Sequence, residues 1–369
     1  MWYLSIVSFL NDISSEIISA ILPFLLTSLG ASGVIIGLVG GLREAVSRIF
    51  QVFFGYFSDR IGKRKIFVVS GYGISAMFKF VLFASTNWFS ASVSAVLERL
   101  GKAVRTAPRD AMISEAMPKT KGKGFGIHRT MDTLGAIVGS MIAFFLVYQL
   151  EWGLYKIILL SATVSILSLV PFRFIRDMKK KGENYSLILS VKRLSHEFRV
   201  FLLISQPYFF ACFSYMFIVL YAENFVGISQ ALGLYVFFNI IYAVFAIPMG
   251  ELSDKIGRKK VIALGYLIYS ISILGFLFVK DIFSLLLLFG TYGLSYAILE
   301  VNQKAFVTEL SKLRATALGV YNTVSGISLI IAGIVAGLLW DVAGEFLFVY
   351  RAVLSTISVF LLMLWKYNG

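Results

Sequence analysis

Long apolar runs and short polar turns alternate along the whole chain. A helix rises about 1.5 Å per residue, so about twenty apolar residues cross a hydrocarbon core of about 30 Å. The pattern therefore predicts an all-α, polytopic membrane protein with twelve transmembrane helices. Their approximate bounds are 3–29, 32–57, 66–86, 88–107, 123–149, 153–174, 199–222, 228–250, 261–280, 283–306, 317–340 and 345–366.

One polar turn occurs twice in almost the same sequence. Residues 55–65 and 250–260 both read G-x-x-S-D-[RK]-I-G-[KR]-[RK]-K, and each joins two apolar runs. The starts of the fifth and eleventh runs, 124–130 and 317–323, also resemble each other. Repeats at corresponding positions indicate two pseudo-symmetric halves, which is typical of secondary transporters. The predicted domains are an N-terminal six-helix bundle over 1–174, a cytoplasmic basic linker over 175–198 and a C-terminal six-helix bundle over 199–369.

Composition and charge support a membrane location. The chain is 58% hydrophobic and 15% charged, whereas a soluble domain carries about 25% charged residues. Most Lys and Arg residues lie in the loops after even-numbered runs, with Lys156, Lys280 and Arg351 as exceptions. Because such residues favour cytoplasmic loops, both termini are predicted to be on the cytoplasmic side of the cell membrane. Basic loops between apolar runs suit membrane lipid as a partner and do not suit nucleic acid.

Three features together resemble the major facilitator superfamily: the doubled turn, the two sets of six runs and the basic linker between them. The signature G-x-x-x-D-R-x-G-R-K of that family matches 55–65 and is echoed at 250–260. The segment 99–110, RLGKAVRTAPRD, resembles a prokaryotic branch of exporters in the family. The resemblance implies the major facilitator fold, a central cavity lined by spans 1, 4, 7 and 10, and alternating access. A monomer is expected.

The resemblance also implies a role for the repeated turn. In the family, the aspartate of this turn latches the two halves in the outward-open state, which points to Asp59 and to Asp254 in the second copy. The basic residues beside Asp59 could pair with acids such as Asp110 or Glu115, or could anchor the turn at lipid headgroups. The latch candidates are Gly55, Asp59, Arg60, Gly62, Arg64, Gly250, Asp254, Gly257 and Arg258.

Several charged residues interrupt the predicted spans, where each costs about 2.5–3.5 kcal/mol at the membrane centre. Groups of this kind face protein or water and are candidates for function. Asp12 and Glu16 stand four residues apart and therefore share one face of the first helix. The candidates for proton coupling or substrate binding are Asp12, Glu16, Arg43, Glu98, Arg99 and Asp132.

Ion pairing is the alternative role for these charges. Asp12 or Glu16 could neutralise Arg43 or Arg99 across the bundle. Within the second span, a Glu and an Arg four residues apart, Glu44 and Arg48, are expected to form an intrahelical bridge. A buried carboxylate that alternates between a cation and a proton is a workable coupling element.

The second half offers aromatic and amide side chains in place of most charges. An aromatic wall suits a bulky apolar or cationic solute, although aromatic residues are also ordinary in lipid-facing helices. The substrate-cavity candidates are Phe213, Tyr221, Asn239 and Asn302. The fifth span departs from the drug-antiporter pattern G-x-x-x-G-P-x-x-G-G, because Ser140 follows Gly139 where proline is expected. This departure weakens the antiporter interpretation.

These features predict a secondary active transporter that moves a small solute by proton-coupled efflux. The alternatives are a proton-coupled symporter or uniporter for a metabolite, a metal-ion exporter, or a membrane receptor that transports nothing. The sequence has two histidines and one cysteine, too few for a His/Cys metal cluster, and no P-loop. We therefore expect no enzyme activity, no cofactor and no bound metal; the partners are a solute and protons or another coupling ion.

Overall fold

The structure is a computed structural model that describes residues 2–117, 121–175, 194–212, 214–279, 281–311 and 313–367. Within these ranges it describes only the backbone at 59, 121–126 and 314–315. The regular elements of the described residues are helices, with no strand among them. The predicted all-α class is therefore confirmed.

Thirteen α-helices and two short 3₁₀ turns make up the described chain. The α-helices are α1 (Trp2–Ser28), α2 (Gly33–Ile61), α3 (Arg64–Phe83), α4 (Trp88–Ala116), α5 (Lys121–Tyr148), α6 (Leu154–Leu167), α7 (His196–Ile204), α8 (Gln206–Ala211), α9 (Met216–Ile256), α10 (Arg258–Gly275), α11 (Ile282–Leu310), α12 (Arg314–Val342) and α13 (Gly344–Leu364). The 3₁₀ turns are Val170–Phe174 and Phe276–Phe278.

These elements correspond to the twelve predicted spans. Helices α1 to α6 are the first six, and α10 to α13 are the last four. Helices α7, α8 and the first part of α9 form the seventh span, and α9 turns at Gly227 (φ 76°, ψ 169°) before the eighth. Such a conformation is accessible mainly to glycine. In the described part of the chain, nine segments are long and apolar enough to cross a membrane; α2 and α4 are also long, at 29 residues each, but carry charges.

The first of two compact units comprises Met1–Ala31 and Leu42–Tyr185. In it α1 packs against α5 and α6, and α3 packs against α4. Glycine allows α1 and α5 to pack closely. A Cβ built at Gly139 would lie only 2.4 Å from the carbonyl oxygen of Ile13, so a larger residue would not fit without a shift. One apolar core of this unit contains Leu4, Val7, Val68, Tyr72, Met112, Ile113 and Phe172.

The second unit comprises Ser32–Gly41 and Ser186–Gly369. Its main packing joins α11 to α9 and α10, and α13 to α8 and α10. The first turns of α2 belong to this unit and pack against α12. Asp341 accepts hydrogen bonds from the backbone amides of Gly33 (2.7 Å) and Val34 (3.1 Å). A carboxylate at that position satisfies exposed amides and complements the dipole at the start of α2.

The seventh span is interrupted after α8, and a buried arginine supports the break. The carbonyl oxygen of Ala211, the last residue of α8, accepts hydrogen bonds from the Tyr269 hydroxyl (2.9 Å) and from Nε of Arg351 (3.1 Å). Arg351 is fully buried and also donates to the Tyr269 and Tyr292 hydroxyls, at 2.6 and 3.4 Å. In lipid a freed carbonyl needs a partner from the protein, and a cation suits a helix C-terminus. Arg351 was an exception to the placement of Lys and Arg in the loops after even-numbered runs. The structure explains this, because Arg351 is buried inside the unit and has a structural role.

Replacing Gly139 with alanine is expected to loosen the contact between α1 and α5. The added Cβ would press on backbone, so the free energy of unfolding should fall by about 1–3 kcal/mol, as for an overpacked core. Gly73→Ala is the matched control, since a Cβ there meets nothing within 4 Å. It should leave stability unchanged or raise it by up to about 1 kcal/mol. Thermal unfolding in detergent, followed by tryptophan fluorescence, compares the two; equal midpoints would contradict the close helix contact.

Candidate functional site

A cluster of buried charges lies inside the first unit, around the carboxylate of Glu98 on α4. Arg43 of α2 lies 3.8 Å from this carboxylate, Lys79 of α3 lies 3.9 Å away and Arg99 lies 3.6 Å away. At 2% exposure for Glu98 and 8% or less for the three cations, the cluster is almost sealed from solvent. Three positive groups thus surround one negative group in the interior of the unit.

Serines on one face of α1 connect the charges. The ammonium group of Lys79 donates to Ser14 (2.6 Å) and Ser15 (3.1 Å), and Ser15 donates to Oε1 of Glu98 (3.2 Å). One turn further, the hydroxyl of Ser19 accepts from both Arg43 (3.4 Å) and Arg99 (3.0 Å). Side chains four residues apart stack on the same helix face, so α1 presents a row of hydroxyls to the cations.

The ionic contacts to Glu98 are loose. Each of the three distances exceeds 3.5 Å, which is longer than a direct hydrogen bond. The other oxygen of Glu98, Oε2, is buried and accepts no hydrogen bond from the described residues. The carboxylate therefore balances the cations by charge more than by direct bonding.

Two carboxylates on facing helices form a second group, which we call the acid pair: Asp12 on α1 and Asp132 on α5. Arg109 of α4 lies beside both helices, because it lies 4.0 Å from Asp132 and donates to Ser8 of α1, one turn before Asp12, at 3.0 Å. The helices approach closely here, because a Cβ built at Gly135 would lie 3.1 Å from Cβ of Asp12. Asp12 is half-buried, and the side chain of Asp132 is only 14% exposed.

Asp132 has further partners toward the end of α4. Arg109 lies 4.0 Å from Asp132 and 3.1 Å from Asp110, so one guanidinium serves two carboxylates. His128, one turn before Asp132 on α5, places Nε2 3.5 Å from it. The acid pair thus has two charged or titratable neighbours, Arg109 on α4 and His128 on α5.

The structure assigns several predicted charges to definite neighbours. Glu44 and Arg48 lie 3.8 Å apart, as their spacing predicts, and their side chains are 48% and 28% exposed. Glu98, on α4, is a carboxylate that lies beside both Arg43 and Arg99. Glu16 is half-buried on the same helix face as Asp12.

The candidates chosen from the sequence left out two components of the charge cluster. Lys79 is the only charged residue in its predicted span, and such an isolated cation inside a membrane helix was a usable signal for a buried partner. The serines of α1 gave a weaker signal, since small hydroxyl residues are common in membrane helices and form packing contacts as well.

The two repeated turns make equivalent ion pairs. Arg64, at the start of α3, contacts Glu115 near the end of α4. In the second unit, Arg258 at the start of α10 contacts Glu309 near the end of α11 and also bonds to Asp254 at 2.6 Å. Gly62 (φ 69°) and Gly257 (φ 96°) form the turns in a backbone conformation that favours glycine. The expected pairing with Glu115 is therefore present.

The remaining latch candidates have less specific surroundings. Arg60 is exposed, and Gly55 packs near Ala107 while Gly250 packs near Val301. The side chain of Asp59 lies outside the described residues. The latch role of Asp59 and Asp254 stays a prediction.

Two cavity candidates of the second unit, Tyr221 and Asn302, have structural partners. Tyr221 packs edge to face against Phe348 at 4.6 Å. The amide of Asn302 donates to the carbonyl of Ile298 at 2.8 Å, and Asn239 is 9% exposed. Phe213 lies outside the described residues. Among those described, no three His, Cys, Asp or Glu side chains group together as metal ligands.

Comparisons with known proteins point to one family. The family model described as Major Facilitator Superfamily matches residues 4–238 and 226–368. The chain is 47% identical to an uncharacterized MFS-type transporter of Methanocaldococcus jannaschii, MJ1317, over 98% of this chain and 94% of that protein. It is 30% identical to the multidrug resistance protein MdtH of Cronobacter sakazakii over 31% of this chain and 29% of that protein. Its fold is similar to that of the nucleoside transporter NupG, with a TM-score of 0.80 and 16% identity over 100% of this chain and 99% of that chain.

Removing the arginine of the first turn should cost more stability than removing that of the second. The side chains of Arg64 and Glu115 are 10% and 21% exposed, against 20% and 47% for Arg258 and Glu309. We expect Arg64→Gln to lower the free energy of unfolding by about 1.5–3 kcal/mol, and Arg258→Gln by about 0.2–1 kcal/mol. Lys63→Gln is the exposed control. Unfolding midpoints in detergent measure the series, and equal losses at the two arginines would contradict it.

Glu98→Gln should destabilise the first unit, because three buried cations lose their charge balance. A broken buried ion pair costs about 3–5 kcal/mol. The double variant Lys79→Met/Glu98→Gln removes one of those cations and should recover part of the loss. A double-mutant cycle on the free energy of unfolding gives the coupling between the two residues. Strictly additive effects of the two substitutions would show that the cluster is not held by charge.

Proposed function

Since this chain belongs to the Major Facilitator Superfamily, and is accordingly a multi-pass membrane transporter and not an enzyme, we propose that it exports a small solute in exchange for protons. The transport cycle is alternating access. In this proposal the chain lies in the cytoplasmic membrane with both termini inside the cell, and the repeated turns act at the cytoplasmic face.

The observation that supports proton coupling is the acid pair. Asp12 on α1 and Asp132 on α5 lie on closely packed helices of one unit. Arg109 links the two helices, because it lies 4.0 Å from Asp132 and donates to Ser8, one turn before Asp12. Two carboxylates that share a site resist simultaneous ionisation. A pair of this kind in a membrane interior is suited to taking up one proton and releasing it when its surroundings change.

The neighbours of the acid pair provide a way to couple protonation to movement. Arg109 stands between Asp132 and Asp110, at 4.0 and 3.1 Å. A proton on the acid pair removes one negative charge and weakens the attraction of Arg109 to Asp132. The balance between its two carboxylates then shifts along α4. Because a ligand shifts a conformational equilibrium only through differential binding, the proton must be held more tightly in one state of the transporter than in the other.

Export, rather than import, is supported by similarity. MdtH, whose name describes multidrug resistance, shares 30% identity with part of this chain. The similarity covers 31% of the chain, so it bears on direction and not on the identity of the solute. A symporter, a uniporter and a metal-ion exporter are the other outcomes that the experiment below separates.

Proton flux in proteoliposomes tests the proposal. The purified protein is reconstituted with a pH-sensitive dye inside the vesicles, and a solute panel is screened for solute-driven proton movement. Asp12→Asn and Asp132→Asn should each lower this proton movement by about tenfold or more, in the range of a lost proton-transfer group. Downhill exchange of labelled solute should continue, because the acid pair couples transport and does not bind the solute.

Two controls define the result. Glu345→Gln removes an exposed carboxylate at the start of α13 and should match the parent protein. Glu16→Gln tests the second acid of α1. Undiminished proton movement in both Asp12→Asn and Asp132→Asn would refute coupling through the acid pair, and solute transport without any proton movement would identify a uniporter.

A further inference from the structure

We propose that the solute carries an oxyanion, a carboxylate or a phosphate, and that Arg43 and Arg99 bind this group beside Ser19. The inference rests on the proposed function in that the bound solute is the transported one. It concerns the charge cluster around Glu98, a site separate from the acid pair.

The two arginines are arranged to act together. Arg43 comes from α2 and Arg99 from α4, and both guanidinium groups donate to the single hydroxyl of Ser19. A guanidinium is a planar fork of donors that matches the two oxygens of a carboxylate or phosphate. Two such forks that converge on one point create a binding geometry for an oxyanion, and their burial strengthens the electrostatic attraction.

The charge of the cluster selects the same class of solute. Glu98 supplies one negative charge within 4 Å of three positive groups, those of Arg43, Lys79 and Arg99. An incoming cation would add to this positive excess, whereas an oxyanion would reduce it. The field therefore favours an anion, and it disfavours the cationic solute that aromatic residues elsewhere in the chain first suggested.

The cluster itself is buried, but charged residues at its margin show that water reaches its edge. Lys102, about one turn after Arg99 on α4, is exposed. On α2, the residue after Arg43 is Glu44, whose side chain is 48% exposed, and the side chain of Arg48 is 28% exposed. Exposed charges in the middle of membrane helices face a water-filled space rather than lipid. A solute from water can thus approach along the α2 and α4 faces that carry Arg43 and Arg99.

The cluster also lies at a depth suited to a transported solute. Ser19, Arg43 and Arg99 each lie about ten residues, or about 15 Å, from the end of α1 or from the start of α2 and α4. That distance is about half of a hydrocarbon core of about 30 Å. A transported solute must be held near the middle of the membrane for access to alternate around it.

Glu98 has a definite role in this site. Its contacts at 3.6–3.9 Å and its unbonded Oε2 make it a loosely held internal anion. In the empty site it balances the cations, and in the loaded site the oxyanion of the solute takes over part of that balance. The substitution Glu98→Gln should therefore lower the stability of the protein without solute and raise its affinity for an oxyanion. A purely structural ion cluster would show the first effect without the second.

Direct binding to the detergent-purified, full-length protein tests the proposal. The probes are benzoate, succinate, inorganic phosphate and glucose 6-phosphate, with tetraphenylphosphonium as the cation and glucose as the neutral compound. Titration calorimetry and ligand-induced shifts of the unfolding midpoint give the affinities. We expect at least one anion to bind saturably, and the carboxylate and phosphate probes distinguish the two oxyanions.

Variants assign the binding to the two arginines. Arg43→Lys and Arg99→Lys keep the charge but lose the donor fork, and each should weaken anion binding by about tenfold, equivalent to one charge-assisted hydrogen bond. Arg173→Lys, at an exposed position in the 3₁₀ turn Val170–Phe174, is the matched control and should bind as the parent does. If neither Arg43→Lys nor Arg99→Lys folds, Glu98→Gln provides the test. In that variant an anion should raise the unfolding midpoint by more than it does in the parent protein.

The proposal is overturned if none of the four anions binds the parent protein, or if binding is unchanged in both Arg→Lys variants and in Glu98→Gln. The outcome is independent of proton coupling, because the measurement requires no transport. Anion binding that depends on Arg99, together with undiminished proton movement in the acid-pair variants, would support this inference and refute coupling through Asp12 and Asp132. The reverse combination would refute this inference alone.

Discussion

Hydrocarbon offers no hydrogen bonds, so every charge and every free carbonyl within the membrane must find its partner in the protein or in enclosed water. This constraint explains two buried polar arrangements in the described part of the chain. In the first unit, hydroxyls of α1 and the carboxylate of Glu98 surround Arg43, Lys79 and Arg99. In the second unit, Arg351 and Tyr269 close the helix break after Ala211. The same requirement gives a buried charge cluster in one unit and a structural brace in the other.

The two repeated turns show what the internal repeat preserves. Aligned by sequence, Arg64 corresponds to Lys259 and Lys63 corresponds to Arg258. The ion pair to the acid of the following long helix is nevertheless made by Arg64 in one unit and by Arg258 in the other. A long, flexible cationic side chain can reach the acid from either of two adjacent positions. The ion pair is therefore kept, although the arginine that makes it stands one motif position earlier in the second copy.

The proposed proton site and the proposed anion site lie in the same unit and share α1 and α4. Lys102 lies on α4 between Arg99 of the anion site and Arg109, the neighbour of the acid pair. An anion on Arg43 and Arg99 would lower the positive field there, and a proton on the acid pair would raise it. Because electrostatic coupling is reciprocal, each ligand would alter the binding of the other. This electrostatic coupling between a proton and an anionic solute requires no direct contact between the two sites.

The sequence by itself determined the helices, their number and the family, because hydropathy and the repeated turn are local patterns that hydrocarbon enforces strongly. It also determined the bridge from Glu44 to Arg48, whose spacing on one helix brings the charges together. Only the tertiary structure decided that Glu98 faces Arg43 and Lys79, that the helices of Asp12 and Asp132 pack closely, and that Arg351 is internal. Those partners come from different helices, and the rotation of each helix about its axis is set by packing at positions such as Gly135 and Gly139 rather than by its own sequence pattern.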